Sequence, residues 1–462
     1  MEEEKVILIK GGTVVTNETV SKKDILIRGE KIYALGQLRD YKADIIVNAR
    51  GLMVFPGGID THVHFNDDFM DTISVHNFYT GTKAAAYGGI TTVIDFSNQQ
   101  PGESLPNTIK RKREEAEGKA IIDWGIHPVI TQPTLKTLDE IPKVVEEGAP
   151  TIKCYMTYRD EGLMVGDRDL KRILERLRES NGMLLVHAED NDIIETNVAA
   201  ALQAGNFSPI YHAKSKPIEA ENNAIFRCIN IARETQGRIF IVHMASGRGV
   251  DLINSAQQEG LKVMAETCTH YLFFTDHMLE REDGIKWICS PPLRDRDNQE
   301  ALWRGIFSGV ISMVTSDDAA FSWDAKLMGK DRFDKCPNGI PGVEVRLNLL
   351  YSEAVAKGKL SLPKLVDLIS TKPAKLFGLA PQKGSIQAGS DADLVLFDPK
   401  PEWIMNQQSL HMGADWSAYE NIKIKGKIKK VFSRGELIIN GEKLLAEKGR
   451  GRYLQRKLDT RI

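Results

Sequence analysis

Short apolar runs, separated by polar stretches of helix-forming residues, fill the middle of the chain. They are GITTVIDFS (89–97), IIDWGIHPVI (121–130), APTIKCYM (149–156), MLLVHAED (183–190), RIFIVHMAS (238–246), LKVMAETCT (261–269) and VISMVTSDD (310–318). With the stretch GGIDTHVHF (57–65), which follows an apolar run of its own, they make eight. Runs this short and this rich in Val and Ile read as strands buried on both faces. Between them, NTIKRKREEAEGK, LKRILERLRES and GVDLINSAQQEG space apolar residues three and four apart among good helix formers. Strand alternating with helix is the pattern of βα units and a parallel sheet, and eight units favour a TIM-type (β/α)8 barrel over a doubly wound sheet.

Both ends of the chain follow a different pattern. VILIKGGTVVT, DILIRGEKIYALG and ADIIVNARGLMVFPGG near the start are β-rich runs broken by Gly and charge. DADLVLFDP (391–399) and IKIKGKIKKVFSRGELIINGEK return to that pattern late, with Asn440-Gly441 suited to a tight turn. The two ends are therefore expected to pair as one small β-sandwich-like domain. The expected boundaries are 1–56 and 385–445 for its two parts, 57–384 for the barrel with its covering helices, and 446–462 for a tail. VEVRLNLLYSEAVAKGK and LPKLVDLISTKPAKLFGL read as covering helices, whereas EKGRGRYLQRKLDTRI has no core pattern and is expected in water or at a subunit contact.

Composition narrows the function classes. The 462 residues are 42% hydrophobic and 27% charged, with mean hydropathy −0.28, the balance of a globular protein. A net charge of −2 offers no broad attraction for nucleic acid or an anionic membrane, which favours a small-molecule partner. The acidic start MEEEKVILIK lacks signal-peptide character, and no apolar run approaches the ~20 residues of a membrane helix, so a cytoplasmic location is expected. Cys154, Cys228, Cys268, Cys289 and Cys336 are odd in number and scattered, fitting buried reduced thiols.

Polar residues then gather at one end of the predicted barrel. His62 and His64, two apart on an extended strand, point to one face. Lys153, His187, His243 and Asp317 also stand at strand C-termini, the end where βα loops open and TIM-barrel sites assemble. A histidine alone at a strand end is more often a hydrogen-bonded core or surface residue, and a lone lysine is more often a surface cation, since an ammonium cannot ligate a metal. Together the imidazoles and the carboxylate form a donor set that zinc and related divalent ions accept. His76, His127, His212, His270, His277 and His411 fall outside the pattern; of these, His76 and His270 are expected nearest a pocket.

FPGGIDTHVHF, GGITTVIDF, TIKCYMTY, LLVHAED, IVHMAS, AETCTHYL, SPPLR, TSDD, CPNGIPGVE, KPAKLFGL and GSDADLVLFD span nearly the whole chain. In this order they resemble the amidohydrolase superfamily, and within it the hydantoinase/dihydropyrimidinase family of cyclic amide hydrolases. The resemblance implies two divalent metals, zinc being the usual one, and a homotetramer. It implies His62, His64 and Asp317 as ligands of the buried metal, and His187 and His243 as ligands of the more exposed one. Lys153 would be carboxylated to a carbamate that bridges both. The family's chemistry makes Asp317 general base and then general acid, and Tyr158 an oxyanion donor. Ser290 and Asn338 correspond to positions whose backbone groups hold the imide edge of the ring. The products would be N-carbamoyl amino acids. Two departures stand out: Asp318 follows Asp317 where several relatives have His, and Asn66 in FNDDF stands where dihydroorotases place an Arg for a substrate carboxylate. The alternatives are an allantoinase or, in another class, a non-catalytic assembly protein of the same fold.

Overall fold

The computed structural model describes residues 5–38 and 41–461. Both chain ends build one sheet. Its early strands are β1 (Val6–Val15), β2 (Val20–Arg28), β3 (Lys31–Gly36), β4 (Ile45–Asn48) and β5 (Met53–Pro56). A barrel strand β6 (Gly58–Val63) and a two-strand hairpin, β7 (Asp68–Phe69) and β8 (Thr72–Ile73), come next. The barrel continues with β9 (Ile90–Asn98), β10 (Asp123–Val129), β11 (Thr151–Tyr155), β12 (Met183–His187), β13 (Ile239–Ile241), β14 (Val263–Cys268) and β15 (Met313–Thr315). The chain then returns to the first sheet with β16 (Leu394–Met405), β17 (Ile422–Ser433), β18 (Glu436–Asn440) and β19 (Lys443–Leu444).

The nine-stranded sheet runs β19-β18-β17-β16-β5-β1-β2-β3, with β4 also on β1. Antiparallel pairing of β5 with β16, Val54 opposite Leu396, joins the two chain ends as the β-rich flanks predicted. The turn after Asn440 closes β18 on β19, and Gly441 takes the positive φ of +61° that this tight turn requires.

Eight parallel strands form the barrel in the order β15-β14-β13-β12-β11-β10-β9-β6. Asp318 closes it: its N–H donates to His62 O at 3.3 Å and its carbonyl accepts from His64 N at 2.9 Å. Below that seam the buried Arg346 donates to Val314 O and Ile59 O, both at 2.9 Å, tying β15 to β6. The strands are buried at nearly every position, as expected of a sheet covered on both faces. Polar caps start the helices that cover it: Ser104, Thr134, Asp190 and Ser246 each accept from N–H groups of the first turn. The two predicted covering helices occur as Arg346–Val355 and Leu362–Leu376, each with a π-helical turn, Tyr351–Val355 and Asp367–Thr371.

The tail corrects the sequence expectation of a segment left in water. Gly451 donates to Ala120 O, Trp124 to Arg452 O, Leu454 to Trp124 O and Arg456 to Gly148 O, so the tail lines the N-terminal end of the barrel strands. Leu454 and Leu458 join the cluster of Ile94, Val129 and Phe240 beneath the barrel. All five cysteines are free and buried, as predicted.

Candidate active site and metal centre

The strand tips bring the predicted residues together. His62 lies in β6 and His64 just past it, Lys153 in β11, His187 at the end of β12, and His243 and Asp317 two residues beyond β13 and β15. Ring centroids of His62 lie 5.4 Å from His64 and 5.2 Å from His243, and His187 lies 4.4 Å from His243. Donor atoms of His62, His64 and Asp317 fall within 4.8 Å of one another. Three of the site residues hold strained backbone, with φ of +36° at His243, +49° at Asp317 and +64° at Tyr158.

Three of the four imidazoles have one ring nitrogen bonded to a carboxylate. His62 Nδ1 meets Glu266 Oε1 at 2.5 Å, His64 Nδ1 meets Asp67 Oδ2 at 3.0 Å, and His187 Nε2 meets Glu189 Oε2 at 2.7 Å. A carboxylate behind an imidazole fixes its orientation and raises the basicity of the opposite nitrogen, the support that metal-binding histidines ordinarily have. His243 Nδ1 and Lys153 Nζ are buried with no hydrogen-bond partner, and His62 Nε2 meets only Asp317 Oδ1, at 3.1 Å. Orphaned buried donors and acceptors are costly, so this cluster fits a ligand that satisfies them together.

The electrostatics agree. Burial pushes His187 down to about 4 and His243 well below the usual range, leaving both rings neutral and free to donate a lone pair. Burial opposes charge on His64 too, but its bonds to Asp317 and Asp67 outweigh that and raise it to about 9. Asp317 is held well below the usual carboxylate range, His62 and His64 overcoming its burial. Positive charge is therefore favoured between these groups. Burial lowers Lys153 to about 8, against the pull of Asp317 and Glu266.

Asp317 also belongs to a second cluster with Cys268 and His270. Burial holds the Cys268 thiol well above its usual range, so it is not a thiolate and makes the poorer cation site. His270 thus approaches the site as expected. His76 does not line the pocket: its Nδ1 meets Asp318 Oδ2 at 2.6 Å. Asp318 also accepts from Gly342 N and Val343 N at 2.7 and 3.0 Å, so this carboxylate turns away from the histidine cluster.

Tyr158, Ser290 and Asn338 line the same pocket as Lys153, His187 and Asp317, with Phe69, Tyr155 and Leu163 forming an apolar wall. Asn66 bonds Glu115 at 3.3 Å instead of facing the pocket. The sequence reading missed Glu266, Glu189 and Asp67 as partners of the histidines. Glu189, two residues past His187, and Asp67, three past His64, carried a local signal in their spacing; Glu266 did not.

A (β/α)8 barrel with four imidazoles, a carboxylate and a buried lysine at its strand tips defines a metal-dependent hydrolase. The amidohydrolase family model matches residues 53–438, and the chain belongs to that family, in its hydantoinase/dihydropyrimidinase group. It is 39% identical over 453 residues to the D-hydantoinase of Geobacillus stearothermophilus, covering 97% of this chain and 96% of that protein. It is 40% identical over 455 residues to the D-phenylhydantoinase of Escherichia coli K12, 98% of each chain. Among solved structures, dihydropyrimidinase from Brevibacillus agri superposes with a TM-score of 0.97 at 39% identity, over 99% of this chain and 100% of that one. L-hydantoinase from Arthrobacter aurescens gives 0.91 at 29% identity, over 98% and 100%. Membership implies a divalent metal centre, and the donor set at the strand tips fits one.

Proposed function

We propose that this chain opens hydantoin or 5,6-dihydropyrimidine rings to N-carbamoyl amino acids. Two divalent ions, zinc by resemblance, would be held by His62, His64 and Asp317 and by His187 and His243, with carboxylated Lys153 between them. The observation that carries this reading is the unpartnered Lys153 Nζ, fully buried among four histidines and an aspartate. An ammonium there would repel cations, whereas a neutral amine adds to carbon dioxide, releases a proton and becomes an anionic carbamate with two donor oxygens. Burial favours the neutral amine. When bound, the ions supply a nucleophile from water at neutral pH and polarise the ring carbonyl.

The remaining steps belong to the chain. Asp317, anionic and at the strand tip, takes the proton of the attacking water and returns it to the departing ring nitrogen. Tyr158 donates its hydroxyl hydrogen to the developing oxyanion. Backbone groups of Ser290 and Asn338 hold the imide edge of the ring. Phe69, Tyr155 and Leu163 exclude water and offer an apolar surface to a ring substituent. That wall favours hydantoins over allantoin, whose ureido group it would leave unpaired. By resemblance the working form is a homotetramer, which sedimentation analysis would test.

A substrate panel tests the reading. Protein supplied with divalent metal and bicarbonate, and verified to hold two ions per chain, is expected to open dihydrouracil, hydantoin or a 5-phenylhydantoin enantiomer faster than allantoin. Failure to open any of these rings, alongside an active control enzyme, would sink it. A chain that bound no metal at all would favour the assembly-protein alternative.

A further inference from the structure

Lys326 lies in the short helix Trp323–Leu327, is fully buried, and takes no part in the chemistry assigned above. Its Nζ donates to three carbonyls: Pro337 O at 2.8 Å, Ile288 O at 3.0 Å and Gly339 O at 3.2 Å. These carbonyls belong to the two loops that carry Ser290 and Asn338. Burial draws Lys326 below the usual lysine value, yet the contact stands in either form: a neutral amine fills two of the three acceptors and an ammonium fills all three.

The two loops differ in what else holds them. His212 Nε2 meets Cys289 O at 2.8 Å and Tyr271 donates to Pro291 O at 2.7 Å, so Ser290 is anchored on both sides. The carbonyls on both sides of Asn338 turn to Lys326 instead, and Gly339 N donates to the same Ile288 O at 3.0 Å. In an extended stretch a residue's N–H and carbonyl share one side and its neighbours' take the other. With Pro337 O, Gly339 O and Gly339 N committed to the Lys326 side, the Asn338 N–H and carbonyl face away from it. Among the described residues, neither they nor the backbone N–H and carbonyl of Ser290 take part in a hydrogen bond. Both residues line the pocket.

We infer that Lys326 is a positioning residue for ring binding: by holding the carbonyls that flank Asn338 against Ile288 O, it turns the Asn338 backbone into the pocket and fixes its place relative to Ser290. The inference rests on the function proposed above. The imide edge of the ring presents one N–H between two carbonyls, the complement of a backbone carbonyl with N–H donors beside it.

The test measures K326M and K326Q on whichever ring the wild type opens best, together with inhibition by the same ring methylated at its imide nitrogen. Metal content and thermal unfolding are recorded for each. Losing contacts made equally to ring and transition state raises KM and leaves kcat, so K326M is expected to raise KM about tenfold with kcat within about twofold. K326Q, which keeps two N–H groups in the cavity, is expected to raise KM less. The methylated ring has no imide hydrogen to offer any variant, so its inhibition constant is expected to shift less than about threefold, a cycle that isolates this contact. An equal loss for both rings would overturn the role. So would a fall in kcat at unchanged KM, which is what a smaller folded fraction gives. If K326M does not fold, K326Q carries the same comparison. A wild type that opens no ring overturns the proposed function and this role together, whereas an active wild type with an unaffected K326M overturns this role alone.

Discussion

Asp317 and Asp318 are neighbours in sequence with separate tasks. Asp317 faces His62 Nε2 at 3.1 Å, while Asp318 turns to His76 and to the N–H groups of Gly342 and Val343. D317N is expected to lower kcat by about a thousandfold, the scale of a lost general base, and to weaken folding as well, since it removes a buried carboxylate that His62 and His64 hold in its charged form. D318N is expected to leave kcat nearly unchanged while costing about 2 kcal/mol in chemical denaturation, because it weakens charge-assisted bonds at a buried carboxylate. Equal kcat losses in both variants would refute this division. No local pattern separates the two acids, since what decides is His76, 242 positions away. That these histidines gather at one end of the barrel was legible because a strand tip announces itself locally: His187 and His243 each follow an uninterrupted apolar run.

Among the elements, the junction of barrel and nine-stranded sheet is built around Lys383, with Arg434 Nε also donating to Asp123 at 3.1 Å. Lys383 Nζ reaches Asp123 at the start of β10, Asp391, and Asp393 just before β16, at 2.6, 2.9 and 2.8 Å. Burial pulls the Asp391 carboxyl up, but Lys383 outweighs it and holds the group below its usual range. A carboxyl depressed on folding stabilises above its unfolded value, near 4, and that contribution is lost as the pH falls below it. K383M leaves buried carboxylates facing one another and is expected to cost about 3 to 5 kcal/mol at pH 7 in denaturant unfolding. The deficit should shrink below about pH 5 as those acids protonate, and a deficit that grows on acidification would contradict the assignment. The strands that meet here were legible as β-rich runs. The three-carboxylate junction was not, because Asp123 lies 260 positions from Lys383.

For the whole molecule, the eight-strand barrel and the pairing of the chain ends were both legible, since each rests on a repeating pattern of apolar runs. The tail was not, because it docks chiefly by backbone hydrogen bonds, with apolar side chains as sparse as Leu454 and Leu458. Metal binding to the folded chain alone should stabilise it by about 3 kcal/mol when free metal reaches a hundred times Kd. Chelation is therefore expected to abolish ring opening and lower the unfolding temperature, and divalent metal with bicarbonate to restore both. Recovery of activity in chelator alone would refute a metal requirement. The pairing of β5 with β16 also has a consequence for biosynthesis. Val54 emerges from the ribosome long before its partner Leu396, by roughly 20 to 70 seconds at ordinary translation rates. Over that interval the nascent chain presents an apolar, unpaired strand edge, which β16 covers only after the whole barrel has been translated.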